Sequence, residues 1–176
     1  MIEQGTEIGV FEQAEHDILE SVLRLDERRV DAYMTPRHRV TWIDLEHPEE
    51  SIRQILLSAQ HSRFPVIEGD PDNVLGILYT KDLVVRALQN EPFDPRTNLR
   101  PVLFVPESMS PLRVLELFKR QGKHIALVTD EYGSIQGMVT DMDILEAIAG
   151  EIPAEGEPDE PEVIERDDGT WLVDGL

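Results

Sequence analysis

The sequence predicts an α/β fold in which two copies of a strand–helix–strand–strand–helix unit pack as a pseudo-two-fold pair behind an N-terminal helix. Three observations predict it. Short apolar, β-branched runs alternate with amphipathic stretches along 176 residues, a length for one compact domain or two small ones sharing a core. The chain also matches itself in kind, without gaps, at a shift of 61. Residues 74–83 fall on 135–144, Gly76 meets Gly137 (137 − 76) and Asp82 meets Asp143. In the same frame Phe64-Pro65-Val66-Ile67 falls on Ile125-Ala126-Leu127-Val128, and Leu56-Leu57 on Leu117-Phe118. Finally, a unit of roughly 60 residues is too small to bury both its sheet faces alone, so the two should pack on each other.

The elements follow in order. Residues 1–32 form a leading helix, with Val10, Ala14, Ile18, Val22 and Leu25 spaced by three or four. That stripe needs a partner: the repeat core, a second copy, or a segment outside this chain. The first unit, 33–91, begins with a strand over Val40 to Leu45. Pro48 and the acidic pair Glu49-Glu50 then open a helix whose Ile52, Ile55, Leu56 and Ala59 share a face. Strands over Phe64 to Ile67 and Val74 to Tyr79 flank the turn-forming cluster Gly69-Asp70-Pro71-Asp72-Asn73, and Leu83, Val84, Ala87 and Leu88 make a short helix. Gln89 to Asn98, with Pro92 and Pro95, joins the units. The second unit, 92–150, repeats the plan: Pro101 to Val105, a helix capped by Ser110 with Pro111 at its first position, Ile125 to Val128, Ser134 to Thr140, and Ile144 to Ala149. Residues 151–165 carry seven acidic residues among Pro153, Pro158 and Pro161, which reads as a linker unable to build a packed core. In 166–176 the apolar run Trp171-Leu172-Val173 is becoming a strand as the chain stops, as expected of a piece cut from a longer protein.

Composition narrows the function. Against 36 Asp and Glu stand 16 Lys and Arg, a formal net charge of -20, which argues against nucleic acid or anionic lipid as the main partner. A small phosphorylated ligand stays compatible, since a pocket can be positive on an acidic body. With no cysteine, disulfides, thiolate metal sites and cysteine catalysis are excluded. No apolar run of about 18 residues offers a membrane span, and Met1 to Gly9 has neither the basic nor the apolar stretch of a signal peptide. The five histidines, His16, His38, His47, His61 and His124, include no pair at metal-ligand spacing. No Walker loop, Gly-x-Ser-x-Gly or His-Glu-x-x-His occurs, so the sequence points away from an enzyme.

Three motifs remain: Met34-Thr35-Pro36-Arg37, Ser62-Arg63-Phe64-Pro65-Val66, and Gly137-Met138-Val139-Thr140-Asp141-Met142-Asp143. In this order they resemble the tandem CBS pair (Bateman module) of CorC/HlyC magnesium and cobalt efflux proteins and their CNNM relatives, over roughly residues 12–150. Asp168-Gly169-Thr170-Trp171-Leu172-Val173-Asp174-Gly175 is similar to the opening of that family's C-terminal domain. The resemblance implies a regulatory, non-catalytic module on the cytoplasmic face of a membrane protein, with a membrane domain ahead of it. It also implies a homodimer and an adenine nucleotide, AMP or ATP with or without Mg²⁺, as ligand. Asp143 would accept ribose hydroxyls where a strand passes into a helix, and the helix start would offer amides to phosphate. Gly137 would let the base approach the backbone, Thr35 would close the cleft, Arg63 would reach the phosphates, and Phe64, Pro65 and Met138 would wall the base. Read by itself, Thr140-x-x-Asp143 is equally a capping box, and the two roles can coexist. The first unit departs from the motif: Tyr79 stands where Ser or Thr is expected, and nothing like Met34-Thr35-Pro36 occurs at Asp94 to Asn98. A second site around Asp82, Lys123 and His124 is therefore not expected, and Asp82 reads as a helix cap. The alternative to a nucleotide sensor is a structural dimerisation module.

Overall fold

The computed structural model describes residues 18, 21–25, 27–149, 163–165 and 171–173. Val10, Ala14, the start of the chain and residues 151–162 of the acidic linker lie outside the described residues. Nine strands and four fully bounded α-helices occur among those described, and residues 18, 21–25 and 27 are helical as well. One sheet has the order β1(Thr35–Pro36), β7(Ile135–Thr140), β6(Ile125–Thr129), β5(Phe104–Pro106). A second has the order β2(Ile43–Asp44), β3(Arg63–Glu68), β4(Asp70–Tyr79). Helices α1(Glu49–Ser58) and α2(Thr80–Leu88) serve the second sheet, and α3(Pro111–Gln121) and α4(Asp141–Ala149) the first. The repeat, the five-element plan and the α/β class are thus present.

Pro48 and Ser110 stand in the cap positions ahead of α1 and α3 with extended ψ values, and Pro111 fills the first turn of α3. Ser110 makes no side-chain cap bond, so proline pre-organisation carries that helix start. Gly122 closes α3 in the left-handed region at φ 62, as helix ends favour. In the first unit the expected turn over 69–73 shrinks to Gly69, at φ 73, and β4 already starts at Asp70. At the other end of the chain, β8(Val163–Glu165) pairs antiparallel with β9(Trp171–Val173). The last residues assigned to the linker therefore belong to a hairpin.

Strand register corrects the self-match. Val66 faces Gly76 and Val128 faces Gly137, so the glycines are 61 apart (137 − 76) but their partners are 62 apart (128 − 66). The offset of 62 also relates Ile43 to Val105, and the start of α1 to that of α3. Phe64 thus corresponds to Ala126 and Leu56 to Phe118, not to Ile125 and Leu117. The first hairpin holds one residue more, and its ladder absorbs it in register shifts beside Val66 and Ile67.

Each unit has its own helix-side core. Ile43, Ile52, Phe64, Val66 and Leu78 form one, and Val105, Val114, Phe118, Ala126, Val128, Val139 and Ile144 the centre of the other. What joins the cores is an exchange of arms. Leu25 and Val30, which precede the first unit, are completely buried in the core of the second, with Tyr33 and Met34 against it. Phe93 and Leu99, at the start of the second unit ahead of its strand β5, pack on the core of the first. The leading stripe therefore finds its partner in the repeat core at Leu25, while Ile18 stays 46% exposed.

Two stability predictions follow from these contacts. Leu25→Ala should cost about 2–5 kcal/mol, the usual range for emptying a leucine site in a core, read from urea denaturation; a change under about 0.5 kcal/mol, typical of a surface site, would mean the arm is not part of the core. Asp44 accepts backbone N–H bonds from Gly69 and Glu46, which hold its carboxyl below the usual carboxylate range. A depressed folded value means the stabilisation is present above about pH 4 and lost as pH falls through the lowered value. Asp44→Asn should flatten the fall in stability between about pH 4 and pH 2, measured by denaturation at stepped pH.

Candidate functional site

The second unit sets out the site. β1 runs antiparallel to the end of β7, with Thr35 opposite Met138 and Pro36 opposite Gly137. A Cβ on Gly137 would strike the Thr35 carbonyl oxygen and the Met34 sulfur. The missing side chain thus admits the crossing arm, and the space beside Gly137 is filled by the protein rather than left open for a base.

β7 ends at Thr140 and α4 begins at the next residue. Asp143 Oδ2 accepts the Thr140 backbone N–H at 2.7 Å and the Thr140 hydroxyl at 2.9 Å, while the Asp143 N–H donates to Thr140 Oγ1 at 3.2 Å. This is a reciprocal capping box. Every Asp143 side-chain bond uses Oδ2, so Oδ1 faces no partner among the described residues. Beside it, His124 Nδ1 lies 2.6 Å from Asp141 Oδ2, and the Asp141 N–H donates to the His124 carbonyl. Sequence reasoning missed that pair, because the two residues are 17 apart and meet only through the β6–β7 ladder.

Strand alternation sorts the remaining residues. Phe64, Val66 and Leu78 point into the first unit's helix-side core, so Arg63, Pro65 and Ile77 lie on the opposite face of that sheet. Ala126, Val128 and Val139 point into the other core, so Leu127, Met138 and Thr140 lie on the opposite face, with Thr35 beside Met138. Pro65, Ile77 and Leu127 are buried yet belong to neither helix-side core. They lie on the sheet faces turned away from those cores. Arg63 and Pro65 thus share the face of one sheet turned away from its helices, and Thr35, Met138 and Thr140 the corresponding face of the other, with Asp143 bonded to Thr140. Phe64 is on neither face: it is fully buried on the helix side, so it is a core residue and not a wall. Arg63 begins β3 with its guanidinium carbon 5.3 Å from the Tyr79 ring centre, and its buried Nε has no hydrogen-bond partner.

The first unit's counterpart differs. Leu99 and Arg100 cross β4 at Gly76, as Met34 and Thr35 cross β7 at Gly137. Ile77 and Arg100 exchange both backbone hydrogen bonds, at 2.9 and 3.0 Å. The counterpart of Met34-Thr35-Pro36 is therefore Leu99-Arg100-Pro101, beyond the stretch in which the motif seemed missing. A varying loop length moved it out of the repeat frame. Asp82 is not a cap either, since its carboxylate binds Arg100 at 3.1 Å. Tyr79 offers no short hydroxyl at the helix start, so no capping box forms there.

A separate cavity of about 650 Å³ is lined by Met34, Pro36, Arg37, His38, Trp42, Pro71 and Gln136. It adjoins the start of β7, whereas Thr140 ends that strand. Its arginine is already engaged, by Asp72 at 3.1 Å and by the Ile135 carbonyl at 3.3 Å. No group of three or more metal-ligating side chains occurs among the described residues.

The comparisons give the class of this tandem repeat with exchanged arms: residues 30–88 and 98–150 each match the CBS domain family. The chain belongs to that family, as a tandem CBS pair of the CorC/CNNM kind. It is 43% identical over 176 residues to a UPF0053 protein of Synechocystis, and 33% identical over 177 residues to the polyamine export protein of Escherichia coli. These matches cover 100% and 99% of this chain and 39% of each relative, so the chain spans about two-fifths of their length. Among solved structures, the CBS domain of a bacterial CNNM/CorC family Mg²⁺ transporter in complex with ATP is similar at TM-score 0.70 and 33% identity. That match covers 78% of this chain and 99% of the other. No described helix is long and apolar enough to cross a membrane.

Thr140→Val removes the hydroxyl that accepts the Asp143 N–H and should cost about 0.5–2 kcal/mol of unfolding free energy, measured in urea. No change would show that the box does not hold the start of α4.

Proposed function

We propose that the chain is an adenine-nucleotide-binding regulatory module, non-catalytic, on the cytoplasmic side of a membrane transporter. The observation that carries this reading is Asp143: its Oδ2 is committed to the cap while Oδ1 has no partner among the described residues, at a helix start that presents a positive dipole end. Ribose hydroxyls would donate to Oδ1, so the cap and the ligand role use different oxygens. Arg63, with a buried and unpartnered Nε, would donate to phosphate. Thr35, Pro65 and Met138 would border the nucleotide, and Thr140 would hold Asp143 in place. Gly137 would contribute indirectly, by admitting the arm that carries Thr35. The similar CNNM/CorC domain solved with ATP supports the ligand class.

The transported species of the longer protein is a cation in this reading, Mg²⁺ or Co²⁺. One relative is named for polyamine export and one similar structure for Mg²⁺ transport, and both are cationic cargoes. A homodimer fits the surface. On α2, Val84 is 57%, Val85 43% and Leu88 79% exposed, and on α4 Met142 and Leu145 are 47% and 44% exposed. Such faces are covered well by a second copy, and light scattering should give about twice the 20.1 kDa chain mass.

The test is calorimetric titration with AMP, ADP and ATP, each with and without Mg²⁺, beside melting curves. Nucleotide should bind and raise the melting temperature. Asp143→Asn should weaken binding roughly ten- to a hundredfold, about 1.5–3 kcal/mol, and Asp82→Asn should leave it nearly unchanged. No binding by any of the three nucleotides would instead establish a structural dimerisation module.

A further inference from the structure

The pseudo-two-fold axis implies a second cleft, in which Arg100, Tyr79 and Asp82 take the places of Thr35, Thr140 and Asp143. That correspondence follows from backbone pairing: Thr35 stands opposite Met138 and Arg100 opposite Ile77, while both crossing glycines meet the same arm positions. The second cleft is already filled. The Arg100 guanidinium carbon lies 3.9 Å from the centre of the Tyr79 ring, at stacking distance, and its Nη2 reaches both Asp82 oxygens at 3.1 and 3.4 Å. A flat cation resting on an aromatic face and donating to the helix-start carboxylate meets the same two groups that a base and a ribose would meet there. We propose that Arg100 is a built-in occupant of the second cleft and the residue that limits this chain to one nucleotide.

Two further features support the assignment. Tyr79 and Thr140 occupy equivalent positions, but Thr140 ties its aspartate into a capping box while Tyr79 leaves Asp82 free to take a cation. Arg63 also lies over Tyr79, at 5.3 Å, so a phosphate-binding donor stands beside this cleft as well. The occupant is a side chain with no deep anchor. Arg100 is 53% exposed and held through one salt bridge and one stacking contact, so its removal empties the cleft without touching the Ile77 backbone bridge.

The proposal rests on the nucleotide reading of the fold but is tested separately from it. AMP and ATP are titrated into the parent, Arg100→Ala, Arg100→Lys and the double variant Arg100→Ala/Asp82→Asn. The parent should bind one nucleotide per chain. Arg100→Ala should bind a second, at least about tenfold tighter than any second-site binding by the parent, and the double variant should return to one. Arg100→Lys, which keeps the charge but not the planar stack, should fall between. If Arg100→Ala melts without cooperativity, Arg100→Gln carries the same measurement. A parent that binds one nucleotide together with an Arg100→Ala that also binds one overturns the plug and leaves the proposed function standing. A parent that binds none, with an Arg100→Ala that gains a site removed by Asp82→Asn, overturns the Asp143 site and upholds the plug.

Discussion

The fold turns on two backbone crossings at glycine. At Gly137 the arm of residues 34–36 passes so close to β7 that any side chain would overlap the Thr35 carbonyl and Met34, and at Gly76 the arm of Leu99 and Arg100 does the same to β4. Close approach lets each arm hydrogen-bond to the sheet of the unit it does not precede in sequence. Neither unit is then complete alone. The second core includes Leu25 and Val30 from ahead of the first unit, and the first is covered by Phe93 and Leu99 from the start of the second. A unit of roughly 60 residues has too little interior to be stable by itself, and the exchange makes the pair one cooperative body.

The same crossings place the functional groups. One arm sets Thr35 opposite Met138, and the other sets Arg100 opposite Ile77. A single residue at each helix start then separates the two sites. Threonine at 140 binds Asp143 through one oxygen and holds it in place, the other having no partner among the described residues. Tyrosine at 79 cannot close the box, and its ring instead becomes a platform for a guanidinium. The two units therefore carry chemically different helix starts. Their difference lies in which hydrogen-bond partners the two aspartates find inside the chain, not in the backbone.

Charge fits this picture. A body with a formal net charge of -20 repels a polyanion at long range, so attraction must come from donors held within reach of the ligand. Several arginines are spent on the protein's own carboxylates: Arg37 on Asp70 and Asp72, Arg96 on Glu68, and Arg100 on Asp82. Arg63 has no such carboxylate partner among the described residues. Its guanidinium lies instead over the Tyr79 ring, 5.3 Å from the ring centre.

The sequence by itself determined the repeat, the five-element plan of each unit, the α/β class and the strand-to-helix motif, because periodicity, proline and glycine positions and helix starts are local properties. It also left open the two roles of Thr140 and Asp143, of which the structure shows the capping box. The tertiary structure alone decided the rest. It moved the repeat offset from 61 to 62 ahead of Gly76, since only ladder register reveals a hairpin one residue longer. It placed Phe64 in a core, since a run of four buried residues, Phe64 to Ile67, does not tell from sequence which face each occupies. Gly137 became a crossing point for the same kind of reason. Arg100 met Asp82 and Tyr79 only because a loop of different length brought Leu99-Arg100-Pro101 to the place of Met34-Thr35-Pro36. Contacts between exchanged arms depend on how the two halves dock, and no window of neighbouring residues carries that information.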